Sequence, residues 1–216
     1  MKPIKRTLLL TAITAALAIP VAPALAQHAD HGAAAPASSG AETAAALRDL
    51  WLDHIFWVRN VVMETLAANE PAAAAAEKEV VANARQIAGA IEPFYGKDAS
   101  AKLFSLLAEH YGAVKEYLKA SASGSKASED AAVKNLTANA GEIARFLSAA
   151  NPYLPFDTVN GLLLAHGGHH VQEIQQFRGR QYAQEAQTWE AMKKHMYVIA
   201  DALTGAIAKQ FPGRVS

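Results

Sequence analysis

Polar residues recur at a fixed interval in this sequence, each within an apolar helical pattern. Successive positions are alternately 29 and 27 residues apart, so the whole unit repeats every 56 residues. The six positions are His54, Asn83, His110, Asn139, His166 and His195. A leucine lies four residues before three of the histidines, at Leu50, Leu106 and Leu162. An internal repeat of this length predicts a supersecondary unit that occurs three times.

The midpoints of these intervals predict where the chain turns. Each midpoint lies at or close to a glycine or proline, at 68–69, 96–97, 124–125, 152–153 and 180–181. Glycine and proline commonly end helices. If each helix turns back there, residues equidistant from a shared turn lie at the same height in an antiparallel bundle. We therefore expect the six polar side chains to form one layer, roughly 20 Å from either end of the bundle.

The apolar residues around each polar position follow the helical period. Around His54, for example, Leu50, Trp51 and Val58 share one face, so all six polar residues are predicted to face the core. The predicted helices span 43–68, 72–92, 98–121, 128–149, 157–177 and 183–210. The alternating pattern of strands is missing from the sequence. We predict an all-α fold, an up-and-down six-helix bundle built from three helical-hairpin repeats of about 56 residues.

The N-terminal segment has the features of an export signal. Lys2, Lys5 and Arg6 precede an apolar run, and a small-residue cleavage site ends at Ala26. We predict a signal peptide at 1–26, a disordered Ala/Gly/Ser/Pro/His tail at 27–42 and a helical bundle domain at 43–212. The mature protein is expected to be periplasmic or secreted.

Charge and composition exclude several classes of partner. Cleavage removes three of the 20 basic residues and none of the 20 acidic ones, which leaves a net charge of −3. Nucleic-acid binding and membrane insertion after cleavage are therefore not expected. With 0 cysteines, the chain has no disulfide and no c-type haem attachment. No catalytic residues are predicted, and the pattern favours a protein that is not an enzyme.

A layer of imidazoles in a helical core is typical of a transition-metal site, because neutral imidazole suits Zn, Cu, Fe or Ni. The third repeat adds an i,i+4 pair of histidines and a carboxylate one turn further on. The predicted metal ligands are His54, His110, His166, His195, His170 and Glu173. The predicted second-shell residues, which would orient the ligands, are Asn83, Asn139 and Glu142.

Other interpretations of the layer stay open. It can be a hydrogen-bonded network that sets helix register in a non-catalytic structural or interaction protein. Asparagine at two of the six positions favours that alternative, since a carboxamide is a poor ligand for these metals. A b-type haem held by two histidines is a minor variant. His28 and His31 form a separate, exposed metal-capturing candidate in the tail.

Five short stretches carry a family resemblance. They are EPFYG (92–96), LAEH (107–110), ANAGEIA (138–144), SAANPY (148–153) and IAKQFP (207–212). Through them the chain, from Leu47 to Pro212, resembles a family of uncharacterised small bacterial all-helical proteins. The resemblance implies a helical fold and no particular activity. It covers His54, His110, His166 and His195, while the pair His169-His170 departs from it. The i,i+4 pairs His166–His170 and His169–Glu173 give a weaker likeness to the His-x-x-x-His and Glu-x-x-His pairs of ferritin- and haemerythrin-like metal bundles.

Overall fold

The computed structural model describes residues 41–214, which form six α-helices. The helices are α1 (Ala41–Leu66), α2 (Glu70–Tyr95), α3 (Lys97–Ser123), α4 (Lys126–Ala150), α5 (Phe156–Arg178) and α6 (Tyr182–Gln210). No strand occurs in this range. The prediction of an all-helical domain is confirmed, and each predicted helix end lies within three residues of the observed one. The predicted signal peptide and nearly all of the predicted tail lie outside the described residues.

The turns between the helices lie where glycine and proline predicted them. Gly124 ends α3 in the left-handed conformation with φ of 74°, and its N–H donates to the Ala120 carbonyl. A left-handed residue at this position closes a helix C-terminus, and glycine adopts it without steric cost. Ser125 then caps α4, because its hydroxyl accepts from the Ser128 N–H at 3.3 Å. Local chemistry therefore accounts for this reversal of the chain.

The six helices form a closed bundle with three inner and three outer helices. Neighbours in sequence pack against each other, and α1 also packs against α6. The bundle is closed by two bidentate ion pairs, Arg48 with Asp201 at 2.7 Å and Arg59 with Glu185 at 2.6 and 2.8 Å. In addition, α1, α3 and α5 contact one another. These three helices are the inner ones, and α2, α4 and α6 lie outside them.

The core divides into two apolar parts on either side of the polar positions. One part includes Val58, Tyr117 and Ile174 and belongs to the half of the bundle that contains the C-terminal end of α1. The other part occupies the half with the N-terminal end of α1 and includes Trp51 and Leu163. Polar side chains between two apolar layers are shielded from water on both sides. None of the described helices is long and apolar enough to cross a bilayer.

Candidate metal centre

Four histidines from the inner helices meet at the centre of the bundle. His54 lies on α1, His110 on α3, and His166 and His170 on successive turns of α5. Their side chains are 1–3% exposed. Each offers a ring nitrogen, and the four nitrogens lie within 4.8 Å of one another. We refer to these four residues as the histidine cluster.

The rings of the histidine cluster are close enough for one ion to join them. The centroids of His54 and His110 both lie near that of His166, at 5.6 and 5.4 Å. The Nε2 atoms of His166 and His170 are 3.2 Å apart. Two nitrogens bound to one tetrahedral Zn²⁺ at roughly 2.0–2.1 Å are separated by about 3.3 Å. The α5 pair therefore already has the spacing of two ligands, and one nitrogen of each of the other two rings lies within 4.8 Å of them.

A buried amide sets the orientation of His110. The Asn139 Nδ2 group donates to the Leu106 carbonyl at 3.1 Å, so its Oδ1 faces the ring of His110. That oxygen lies 3.1 Å from His110 Nδ1, which must then carry the proton and donate it. The lone pair of His110 is consequently on Nε2, the nitrogen without a hydrogen-bond partner. This is the arrangement in which a second-shell acceptor holds a metal ligand.

Several ring nitrogens of the cluster have no hydrogen-bond partner. These are both nitrogens of His54, Nε2 of His110, and Nδ1 of His166 and of His170. A buried polar atom left unpaired costs about 1–3 kcal/mol. These nitrogens are therefore available to a ligand in the space between the rings.

Burial keeps the imidazoles neutral. Loss of solvation lowers the pKa of His54 to about 3 and that of His110 to about 4. Burial and the neighbouring imidazoles hold the pKa values of His166 and His170 well below their ordinary value. All four rings are therefore uncharged at neutral pH, the state in which imidazole binds a metal ion.

A buried carboxyl lies next to the cluster. Glu173 is fully buried, and its Oε2 is 3.9 Å from His170 Nδ1. Burial and the nearby Glu185 carboxylate raise the pKa of Glu173 to about 8, while Arg59, 3.4 Å away, acts in the opposite direction. Glu173 is predicted as a ligand, but it is not one of the four groups whose ligand atoms converge. It lies beside a ligand instead.

The structure separates the remaining predicted site residues from the cluster. His195 is only half-buried, and its Nε2 is bonded to the Leu162 carbonyl at 2.8 Å. Glu142 is exposed on the outer face of α4 and pairs with Arg145 at 2.6 Å, so the predicted second-shell role does not fit its position. Asn83 is buried and donates to the Leu50 carbonyl at 2.9 Å.

The polar positions of the outer helices form hydrogen bonds to the inner helices. Asn83, Asn139 and His195 each bond the carbonyl of a leucine 33 residues earlier, on the preceding inner helix. The three bonds recur at the 56-residue interval. The six polar positions therefore divide into three histidines that face the centre and three side chains that join each outer helix to an inner one. The alternation of histidine and asparagine in the first two units was the sequence signal for this division.

The donor set fits a transition metal better than the other candidates. Four neutral imidazoles with no thiolate suit Zn²⁺, Cu²⁺, Ni²⁺ or Fe²⁺, whereas Mg²⁺ and Ca²⁺ prefer oxygen ligands. The chain matches no protein-family model, no curated protein and no solved structure.

Proposed function

We propose that this protein binds one transition-metal ion through His54, His110, His166 and His170. One observation carries the proposal, which is the convergence of four buried neutral imidazoles whose nitrogens lie within 4.8 Å of one another. Bound metal would give a partner to His110 Nε2 and to one ring nitrogen of His54, which otherwise have none. It would also join α1, α3 and α5, the three inner helices.

Two further residues support the four ligands. Asn139 accepts from His110 Nδ1 and so directs Nε2 toward the ion. Four imidazoles leave the charge of a divalent ion uncompensated, and the Glu173 carboxyl beside His170 would balance part of it on losing its proton. We assign both residues to the second shell, where they act on the ion through a ligand.

The test is metal analysis of protein purified without a His tag. We expect close to one equivalent of metal, and a Co²⁺ titration that gives the visible absorption of a nitrogen-ligated tetrahedral ion. His54→Ala and His170→Ala should each weaken binding by at least 100-fold. His169→Ala is the matched control, because His169 neighbours His170 on α5 and lies outside the cluster.

A second set of variants separates the cluster from the tail. A protein carrying both His28→Ala and His31→Ala should keep its metal, since the tail histidines are not needed for the proposed site. A folded wild-type protein without stoichiometric metal would refute the proposal. Retention of the metal after His54→Ala would place the binding site elsewhere.

The alternative function is a non-catalytic structural or interaction protein whose polar layer sets helix register. The three equivalent side-chain bonds to Leu50, Leu106 and Leu162 favour it. This alternative requires no metal, and it predicts that Asn83→Leu and Asn139→Leu destabilise a metal-free protein. The unpaired nitrogens of His54 weigh against it, because a register network would satisfy them.

We further propose that the bundle consists of three helical-hairpin repeats, α1–α2, α3–α4 and α5–α6. The equivalent hydrogen bonds at the 56-residue interval and the position of every turn support this proposal. The asymmetry of the metal site then has a simple origin, since only the third repeat supplies a second histidine, His170. The proposal has a measurable consequence. Because Asn83 and His195 occupy equivalent positions, the substitution Asn83→His should leave the protein folded, as the histidine at position 195 does.

Export and partners complete the proposal. We infer that the chain is cleaved after Ala26 and acts in the periplasm or outside the cell, with a metal ion as its partner and no nucleic acid. Membership of the family of small bacterial all-helical proteins is part of the same proposal. Mass spectrometry of the periplasmic fraction should find a mature chain that begins at Gln27. A full-length protein found in the cytoplasm would contradict the proposed export and cleavage.

A further inference from the structure

An apolar cavity of about 60 Å³ leads from one end of the bundle to the histidine cluster. All six helices line it, and its walls consist almost entirely of aliphatic and aromatic side chains, among them Ile91, Leu107 and Leu163. His54, His110 and His166 form its inner end, while His170 does not line it. The cavity thus meets the cluster on the face made by three of the four proposed ligands.

Polar side chains that bond one another lie at the outer end of the cavity. Asn151 Nδ2 donates to the Tyr95 hydroxyl at 2.9 Å, and that hydroxyl donates to Gln210 Oε1 at 2.8 Å. Gln210 Nε2 donates in turn to the Ala150 carbonyl at 3.0 Å. Because these groups satisfy each other, the polar atoms left for a ligand inside the cavity are the Trp51 Nε1 group and the imidazole nitrogens at its inner end.

The size and polarity of the cavity select its occupant. One water needs roughly 10–15 Å³ of such space, so this cavity has room for a molecule of a few heavy atoms. Apolar cavities stay dry and accept apolar guests, whereas an ion would lose its hydration without replacement. A pocket that is apolar except for a few convergent polar groups is typical of a ligand site.

We propose that the cavity binds a small uncharged apolar molecule of the size of a diatomic gas and brings it to the face formed by His54, His110 and His166. The inference rests on the proposed metal site, where such a molecule would bind as a fifth ligand beside the four imidazoles. Water and anions would be disfavoured on the same path. The opposite half of the bundle is filled around Val58, Tyr117 and Ile174, and none of these three residues lines the cavity.

Xenon tests the cavity without any metal. Crystals of the metal-free protein under xenon pressure should show one xenon atom near Leu107 and Leu163. Ala202→Leu, which adds a side chain to the cavity wall, should abolish that site. Ala186→Leu is the matched control, since it makes the same change on an exposed position of α6. Ala150→Leu fills the cavity from α4 and serves if Ala202→Leu does not fold.

Nitric oxide tests access to the metal. Protein loaded with Fe²⁺ without oxygen should bind nitric oxide and give the S = 3/2 electron paramagnetic resonance signal of a ferrous nitrosyl. Ala202→Leu should keep its Fe²⁺ affinity within about twofold and lose nitric oxide affinity by at least tenfold. Ala186→Leu should match the wild type in both measurements.

The outcomes separate this inference from the metal proposal. Absence of xenon from the wild-type cavity would overturn the inference whatever the metal content. Metal binding with nitric oxide binding unchanged in Ala202→Leu would also overturn it, since the gas would then reach the ion by another path. If no metal binds but xenon occupies the cavity, the metal proposal fails, and the part of the inference that assigns the cavity to a small apolar guest stands.

Discussion

His110 and Asn139 show how a single buried hydrogen bond can prepare a ligand. Asn139 reaches both the His110 ring and the Leu106 carbonyl, at 3.1 Å in each case. The carbonyl leaves only one orientation for the amide, and the amide leaves only one protonation site on the ring. The imidazole is therefore held with its lone pair toward the other histidines before any ion arrives.

Removing this acceptor should weaken metal binding without unfolding the protein. We expect Asn139→Ala to reduce the affinity for Zn²⁺ by about 10- to 100-fold, the usual effect of losing a second-shell partner. Competition with a chromophoric chelator measures it. Asn135→Ala is the control, because Asn135 lies one turn earlier on α4 and bonds the exposed Glu116. Equal losses in the two variants would deny Asn139 a specific role.

Burial of neutral histidines should make the metal-free protein sensitive to acid. The unfolded chain protonates His54 below about pH 6.5, but the folded chain does so only near its pKa of about 3. The unfolded state thus binds more protons in that window, and the free energy of unfolding falls as the pH is lowered through it. Between pH 6.5 and 4.5, the free energy of unfolding of His54→Leu should therefore fall by about 2 kcal/mol less than that of the wild type.

Urea unfolding in the presence of a chelator measures this difference. At pH 8 the imidazole is neutral in both states, so the comparison there isolates the packing effect of the substitution. The same loss of stability on acidification in both proteins would show that His54 is not held neutral by burial.

Helix α5 contributes half of the cluster, and its sequence allows it to approach α4 closely. A Cβ added at Gly167 would lie 3.1 Å from Leu136 Cδ2, whereas one added at Gly168 would meet nothing within 4 Å. The helix continues without interruption through both glycines. Gly167 therefore gives α4 room next to His166. The two glycines destabilise the helix, because glycine loses more backbone entropy on folding than other residues.

These adjacent glycines form a matched pair of substitutions. Gly168→Ala should raise the free energy of unfolding by about 1 kcal/mol through helix propensity. The free energy of unfolding of Gly167→Ala should be about 1–3 kcal/mol lower than that of Gly168→Ala, because Leu136 must shift. Urea unfolding gives both values, and Leu136→Ala should rescue Gly167→Ala in a double-mutant cycle. Equal effects at the two positions would mean that Leu136 moves aside freely.

At the scale of the whole molecule, the histidine cluster joins helices that are distant in sequence. His54 and His170 are on α1 and α5, and an ion bound by them would close a loop of more than 100 residues. The ring of helices is otherwise held by packing and by surface pairs such as Arg48 with Asp201. Exposed pairs of this kind contribute little to stability. A central ion would therefore be the main cross-link in a chain with 0 cysteines.

Metal should consequently stabilise the entire bundle. At free Zn²⁺ one hundred times the Kd, binding adds about 2.7 kcal/mol and raises the Tm by about 5–10 °C. Hydrogen exchange should slow in α1, α3 and α5 together. A variant with both His110→Ala and His170→Ala should show neither change. Protection confined to α5 would indicate that only the His166–His170 pair binds.

Most of the architecture was predictable because its signals are local. Apolar residues at the helical period and glycine or proline at the reversals are properties of short segments, and every predicted turn lies at or beside an observed one. The burial of His54, His110 and His166 followed from the same period. Those parts of the structure required no knowledge of which helices meet.

The composition of the site depended on how the helices pack. The sequence predicts both His166 and His195 as ligands, yet α5 is an inner helix and α6 an outer one, so one histidine enters the cluster and the other bonds a carbonyl. The fourth member of the cluster is His170 and not His195, because His170 lies one turn after His166 on the inner helix α5 and faces the same way as His166. The cavity next to the histidine cluster likewise depends on packing, because residues of all six helices line it. Spacing along a chain sets the height and face of a side chain, but its partners depend on the arrangement of the helices around it.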